Sequence, residues 1–527
     1  MMHERYHSDL RSRTVSLDMD TNKLIASLPA RIDAIVSRGA KAHPDRIALH
    51  EDARTLTYAQ VDSAVDALAA RLAAAGVRGG DRVMLIGENS VALVASLFAV
   101  SRLDAWALVV NARLSAVELD AIRAHATPRI ALYTVEASDD AARHAQRDGA
   151  AIESLEATPI GAFALSAIDT ASVQEPHGLP SDQQCAALIY TTGTTGTPKG
   201  VMLSHRNLLF VAAVSSTLRR VSSDDRVYAV LPISHVFGLA SMCLGSLYAG
   251  AMLRLAARFD AERAGHLLGD ERMTIFQGVP AMHAKLIDHF TPRGGLNAPS
   301  LRFVYCGGSP LDMTLKTAAE AFYGVPLHNG YGMTESSPTV SNTLLDAPAH
   351  DASVGPLIPG VEARIVPLAQ ESETDDTGEL WIRGPNVMLG YYRDAAQTAA
   401  TVTADGWLKT GDLARFDNGN LYIVGRSKEL IIRSGFNVYP AEVEQAFNSH
   451  PAVLHSAVIG RRARGNEDVL AFIELRSGCM ADERELVEWV SARLAPYKRP
   501  SSIRILDALP VSASGKVLKH RLGTLAN

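Results

Sequence analysis

Apolar and polar positions recur along this chain with two periods. Tyr58, Val61, Val65, Leu68 and Leu72 step by three and four, which predicts a helix with one apolar face, closed by Gly76 before a strand at 83–86. From residue 46 to about 130 short apolar runs alternate with such helical stretches, the pattern of α/β structure. Residues 139–182 are polar and weakly periodic, and are expected to form peripheral helices and loops. The alternation then resumes, with a buried strand at 185–190, a helix at 206–218, a helix from about Leu239, and strands at 227–231, 274–277, 301–305 and 325–329.

The pattern changes at Gly378. The segments E-L-W-I-R-G, G-W-L-K-T-G-D and N-L-Y-I-V-G-R are short strands separated by Gly, Asn and Asp turns, as in antiparallel β structure, and the acidic run 371–376 before them is a solvated turn. Beyond Gly425 a helix near 440–447, strands at 453–459 and 469–475, a helix at 482–494 and a strand at 503–505 make a small α+β unit of domain size. The fold class is therefore α/β: a large, multi-layered N-terminal domain of sheets and helices with a β-rich section, and a small α+β C-terminal domain. No repeat is visible at periods of 20 to 50 residues.

Composition narrows the classes. A chain of 527 residues, 47% apolar and 20% charged, is long enough for several folding units with large cores. A net charge of −6, with no basic run interleaved with aromatics, excludes nucleic acid as a partner. Cys185, Cys243, Cys306 and Cys479 lack C-x-x-C spacing, so neither a disulfide framework nor a zinc site is indicated and a reducing, cytoplasmic setting is expected. The polar N-terminus does not resemble a secretory signal, and residues 1–25 are expected to be flexible. The uncharged run 236–253 has the length of a membrane span, but Gly238, Ser241, Gly245, Ser246 and Gly250 dilute it; a buried helix is expected, and no integral membrane segment.

The candidate chemistry centres on Y-T-T-G-T-T-G-T-P-K-G-V-M-L-S-H at 190–205. Gly193, Gly196 and Gly200 free the backbone, Thr191, Thr192, Thr194, Thr195 and Thr197 offer hydroxyls, and Lys199 adds charge, so the loop can wrap oxyanions. It is not G-x-x-x-x-G-K-[ST], because Lys199 follows Gly196 by three and precedes glycine. Four further stretches stand out: L-P-I-S-H-V-F-G with His235, C-G-G-S-P-L with Gly308 and Ser309, N-G-Y-G-M-T-E-S at 329–336, and T-G-D with Asp412 together with G-R-S-K-E-L-I-I-R-S-G-F-N-V-Y-P-A-E-V-E from Gly425. Thr334 and Glu335 supply a hydroxyl and a carboxylate suited to phosphate and a hard cation; Asp412 can accept from sugar hydroxyls and Arg426 can donate.

In order and spacing these stretches, with P-V-S-A-S-G-K at 510–516, resemble the adenylate-forming superfamily of acyl-CoA synthetases, peptide-synthetase adenylation domains and beetle luciferases, over roughly residues 30–522. The resemblance implies that Thr191, Thr192, Gly193, Thr194, Thr195, Gly196 and Lys199 hold the β- and γ-phosphates of ATP. Gly308, Ser309, Asn329, Gly330 and Tyr331 would frame the adenine, Gly332 would belong to the same nucleotide site, Thr334 would touch the α-phosphate and Glu335 would help hold Mg2+. Asp412 and Arg426 would grip the ribose, His235 would line the carboxylate site, and Lys516 would contact carboxylate and α-phosphate during adenylation. It also implies a large domain at 1–427 and a mobile lid at 428–527 hinged at Lys428, with Gly435 at the pantetheine tunnel and Tyr497, Lys498 and Arg499 near the phosphates of coenzyme A.

The implied reaction is acyl-AMP formation with release of pyrophosphate, then transfer of the acyl group to a thiol. Candidate pocket residues include His235, Phe237, Gly307, Gly308, Gly330, Met333 and Pro338, whose glycines leave room for a long or flat acyl group. Ser434 stands where plant coumarate ligases carry lysine, so a medium- or long-chain fatty acid is the leading expectation and an aryl acid such as a benzoate the second. A carrier-protein thiol as acceptor and a homodimer are both open.

Overall fold

The computed structural model describes residues 19–52, 54–156, 158–192, 198–367, 376–433, 436–463, 466–511 and 517–525. The expected α/β alternation builds two eight-stranded sheets. In the first, the strands run in the order Thr339–Asn342, Leu327–Gly332, Phe303–Cys306, Ile275–Gly278, Arg226–Ala229, Met252–Leu255, Ile47–Glu51 and Arg54–Thr57, with both edges antiparallel and the centre parallel. The second is Gly390–Tyr391, Pro198–Ser204, Cys185–Thr192, Trp106–Asn111, Arg82–Gly87, Ile130–Tyr133, Phe163–Leu165 and Ala151–Glu153. The last two strands come from the stretch read as peripheral helices and loops. They are only three residues each, too short to carry a period; the pairing of Phe163–Leu165 with Ile130–Tyr133, and of Ala151–Glu153 with Phe163–Leu165, defines them.

One core joins both sheets. Leu49, Val227 and Phe303 from the first meet Val83, Val109, Ile189 and Val201 from the second around Leu208, Phe210 and Val211. Those last three lie on the helix His205–Leu218, whose start is fixed by a reciprocal cap: Asn207 N donates to Ser204 Oγ at 3.1 Å and Ser204 N to Asn207 Oδ1 at 2.8 Å. The helix Tyr58–Ala74 buries the five apolar positions expected of it.

The uncharged run 236–253 is buried but only partly helical. A π-helical stretch, Phe237–Leu244, passes into a single turn, Gly245–Tyr248; Gly250 then takes φ +81° and the chain re-enters the first sheet at Met252–Leu255. Among the described residues no helix is long and apolar enough to cross a membrane.

Strands Glu362–Val366, Gly378–Arg383, Leu408–Asp417 and Asn420–Arg426 form the antiparallel sheet read from the turn pattern. The acidic run falls mostly outside the described residues. Beyond it lies a hairpin, Ile431–Arg433 with Phe436–Val438, and a three-stranded sheet of Val453–Ala463, Asn466–Leu475 and Ser502–Leu506, flanked by helices Pro440–Asn448 and Glu483–Ser491. These elements bury their own core, including Val443, Phe447, Val458, Val469, Ile473, Leu486 and Ile503.

Candidate functional site

Strands Phe303–Cys306 and Leu327–Gly332 are parallel neighbours with Cys306 opposite Asn329. Gly307, Gly308 and Ser309 therefore leave the sheet beside Gly330, Tyr331 and Gly332, at the carboxyl edge where ligands of α/β folds commonly lie. Asn329 is buried and held by both ends: its N–H donates to Thr343 Oγ1 at 2.9 Å, and its Oδ1 accepts from Gly330 N at 2.8 Å.

Tyr331 links this edge to the antiparallel sheet. Its hydroxyl donates to Asp412 Oδ2 at 2.5 Å, and Arg426 Nε lies 3.2 Å from Asp412 Oδ1. Asp412 and Arg426 face each other in the register of Leu408–Asp417 against Asn420–Arg426, so a strand pairing sets the ion pair. Burial, reinforced by the Asp412 charge, pushes the Tyr331 hydroxyl well above its ordinary pKa and keeps it a donor. A buried carboxylate and a half-exposed guanidinium at one rim can meet neighbouring hydroxyls of a sugar.

Thr334 and Glu335 occupy a short turn, Thr334–Ser336, and both are buried. Ser336 pins the turn by accepting from Met333 N at 3.0 Å and donating to Pro338 O at 2.6 Å. Glu335 Oε1 accepts from the Tyr391 hydroxyl at 2.8 Å, and Lys199 Nζ stands 5.4 Å from the centre of the Tyr391 ring. Tyr391 belongs to the two-residue strand that pairs with Pro198–Ser204, the strand carrying Lys199. One tyrosine thus joins the Thr/Gly loop's flank to the acidic motif. It was not among the expected site residues; its signal is G-Y-Y-R, an aromatic with a polar tip just after a glycine.

Among the described residues no cluster of three His, Cys, Asp or Glu side chains could cage a metal. A single buried carboxylate is nonetheless what Mg2+ takes when its other positions are filled by water and substrate phosphates, so Glu335 fits that ion.

The Thr/Gly loop joins two antiparallel strands, Cys185–Thr192 and Pro198–Ser204, rather than leading from a strand to a helix; Lys199 faces Thr191 across the hairpin. Gly193, Thr194, Thr195 and Gly196 lie outside the described residues, as do Gly435 and Lys516. His235 is exposed, and its Nδ1 accepts from Phe237 N at 3.3 Å. The room expected beside the pocket glycines is taken by aromatic rings at Gly307 and Gly330, while Gly308 faces only Val279. A Cβ on Gly330 would collide with the Tyr305 hydroxyl, and one on Gly307 would press on Tyr305 and Phe237.

Tyr497, Lys498 and Arg499 cluster away from these motifs, against the strand Ile431–Arg433. Arg433 donates to the carbonyls of Tyr497 and Arg499, Lys498 Nζ pairs with Glu442 at 2.5 Å, and Arg499 donates to Leu494 O and Ser491 O. Lys428 is exposed in the turn Ser427–Glu429 between the two regions. The next residue, Glu429, and Glu444 each lie 2.9 Å from Lys519 Nζ, so the tail helix Lys519–Leu525 is tied to that turn.

A glycine-lined sheet edge, a buried carboxylate suited to a hard cation and a lysine-bearing hairpin are the parts a nucleotide-using enzyme needs. Residues 36–392 match the family model described as AMP-binding enzyme, and residues 442–516 match the AMP-binding enzyme C-terminal domain. The chain is 35% identical over 488 residues to a feruloyl-CoA synthase of Amycolatopsis sp., covering 92% of this chain and 96% of that one. It is also 35% identical over 496 residues to an indoleacetate–CoA ligase of Aromatoleum aromaticum, with the same coverages. Among solved structures it is similar to O-succinylbenzoate coenzyme A synthetase from Bacillus subtilis in complex with ATP and magnesium ion, at a TM-score of 0.78 and 29% identity over 93% of this chain and 99% of that one. The chain belongs to the AMP-binding enzyme family and is an AMP-forming acid–thiol ligase.

Proposed function

We propose that the protein is an ATP-dependent carboxylic acid–CoA ligase whose acid is compact and aryl or aryl-like. The observation that carries the ligase reading is the joining, through Tyr391 and Tyr331, of Lys199, Glu335 and the Asp412–Arg426 pair around one sheet edge. The aryl reading is supported by the aromatic filling at Gly330 and Gly307, which works against a long alkyl tunnel, and by relatives named for feruloyl-CoA and indoleacetate.

A carboxylic acid is already ionised at neutral pH, so the chain need not supply a base to make the nucleophile. The obstacle is the approach of one anion to another, which places the burden on alignment and on fixed positive charge. A carboxylate oxygen bonds to the α-phosphorus and the bond to the β-phosphate oxygen breaks, releasing pyrophosphate. Lys199 and the hairpin would hold the leaving phosphates, Thr334 the α-phosphate, and the Asp412–Arg426 pair the ribose. Mg2+, held by Glu335, would neutralise phosphate charge. In the second step the thiol sulfur bonds to the acyl carbon, the acyl–phosphate oxygen bond breaks, AMP leaves and the thiol proton goes to solvent.

Lys516 is suited to the first step and would obstruct the second. A lid at 428–527, turning at the exposed Lys428 and presenting Gly435 in place of Lys516, would reconcile the two. The test is acid-dependent pyrophosphate release and thioester formation across matched aromatic and fatty acids, with and without CoA. Aromatic acids are expected to give the highest kcat/KM and to need CoA for turnover. Preference for long fatty acids would overturn the aryl reading, and pyrophosphate exchange with no CoA thioester would point to a carrier-protein thiol.

A further inference from the structure

Arg219 lies at the end of the helix His205–Leu218 and is only 1% exposed. Its Nη1 donates to Gln277 Oε1 at 2.8 Å and its guanidinium stacks on the Tyr305 ring, 4.4 Å from the centre. Among the described residues Nε has no partner and no carboxylate pairs with the side chain; Tyr305 alone opposes the burial that pulls its pKa down. A buried guanidinium without a counter-charge is costly, and stacking offsets only part of that cost. Methionine or leucine would fill the same volume more cheaply.

Its setting says what the charge is for. Tyr305 and Gln277 are paired in register on adjacent parallel strands, and Tyr305 is the ring that closes off Gly330 and touches Phe237. The surrounding face is unusually polar for a core: Ser241 Oγ and Ser215 Oγ lie 3.1 and 3.4 Å from Thr339 Oγ1, and all three are buried. Tyr305 lies against both Gly307 and Gly330 at the edge where the carboxylate would be activated, and Arg219 lies on the same ring, so the guanidinium is one side chain removed from that edge. A donor one side chain behind the edge suits an aromatic ring or short chain carrying a second functional group at its far end.

We infer that Arg219, supported by Gln277, is a specificity-determining donor for a second oxygen acceptor at the distal end of the acid, a carbonyl or a carboxylate. The inference rests on the acid–CoA ligase reading and names the substrate class within it. An acid bearing such a group satisfies the guanidinium, whereas an apolar isostere leaves it unpaired, and sites of that kind discriminate strongly.

The experiment compares matched acids, 4-acetylbenzoate with 4-isopropylbenzoate and a terminal keto or dicarboxylic acid with its alkyl counterpart, by kcat/KM for CoA thioester formation in wild type and Arg219→Met. In every scaffold that is turned over, the wild type is expected to favour the acceptor-bearing acid at least tenfold, through KM for the acid. Arg219→Met brings the ratio close to one with KM for ATP unchanged. A wild type without the preference overturns the inference, whatever the variant does. A methionine variant that loses stability or rate yet keeps the ratio assigns Arg219 to packing, which also overturns it. If that variant is not recovered folded, Arg219→Leu stands in, and a ratio equal to the wild type's has the same meaning. Absence of thioester from every acid sinks the ligase reading and this inference with it; thioester formation without the ratio sinks this inference alone.

Discussion

Tyr391 serves two groups with different atoms. Its hydroxyl donates to the buried Glu335 carboxylate, and its ring lies under the Lys199 ammonium. Burial and the nearby Glu335 charge push the phenol's pKa far above 10, so it remains a donor throughout the working range. A hydrogen bond to a charged group is worth about 1.5–3 kcal/mol. Tyr391→Phe, which keeps the ring and loses the donor, is therefore expected to slow acyl-adenylate formation roughly 10- to 100-fold. The Mg2+ concentration for half-maximal rate should rise as well. Stopped-flow pyrophosphate release read against Mg2+ decides this; a variant within twofold of wild type at all concentrations removes Tyr391 from the site. At this scale the sequence was legible wherever chemistry is contiguous, as in Thr334–Glu335 within one motif. Tyr391 and Arg219 escaped because each acquires its meaning from a residue at least 50 positions away.

At the scale of elements, periodicity located the helices and central strands, and turn residues located the antiparallel sheet. It missed what is decided by partners: the short edge strands, the hairpin form of the Thr/Gly loop, and the turn at Gly250 that cuts a uniformly apolar run into helix and strand. The same packing explains a pH dependence. His205, His283 and His328 are buried where elements meet, and burial lowers their pKa values from 6.5 to about 3, about 4 and about 4. His205 Nδ1 accepts from Ile32 N at 3.2 Å, and His283 is bonded to Tyr323 Oη and Tyr305 O at 3.0 and 3.3 Å, contacts that a neutral ring satisfies. The unfolded chain binds protons near pH 6.5 that the folded chain refuses until about pH 3 to 4, so stability is full above 6.5 and lost as pH falls through that window. Each group contributes about 1.4 kcal/mol per pH unit inside it. The urea midpoint is expected to drop steadily from pH 7 to pH 5, and His283→Gln to flatten that slope even if it lowers the midpoint at pH 7. A midpoint independent of pH over this range contradicts the assignment of neutral, buried rings.

At the scale of the molecule, the two half-reactions would ask for different surfaces at one site, and the helix Lys519–Leu525 would bear on which one is presented. Lys519, held between Glu429 and Glu444 at 2.9 Å each, fastens the segment that follows Lys516 to the turn containing Lys428. That arrangement would restrict where Lys516 can reach. Lys519→Met should therefore slow adenylation several-fold while leaving KM for CoA unchanged; a slowed thiol step instead would place the tie in the other state. The stronger test is Lys516 itself. Lys516→Ala is expected to abolish adenylation and largely spare thioester formation from supplied acyl-AMP, because thiol attack needs an electrophilic carbonyl and not a cation between the carboxylate and the α-phosphate. Lys199→Ala should slow adenylation less, since the other N–H groups and hydroxyls of the Thr/Gly motif would share the phosphate charge. Equal loss of both half-reactions in Lys516→Ala would make the lysine a structural one and remove the reason for a lid that turns. Loss ranked the other way would move the developing charge from the α-phosphate to the pyrophosphate, with Lys199 beside the Tyr391 ring as its principal counter-ion.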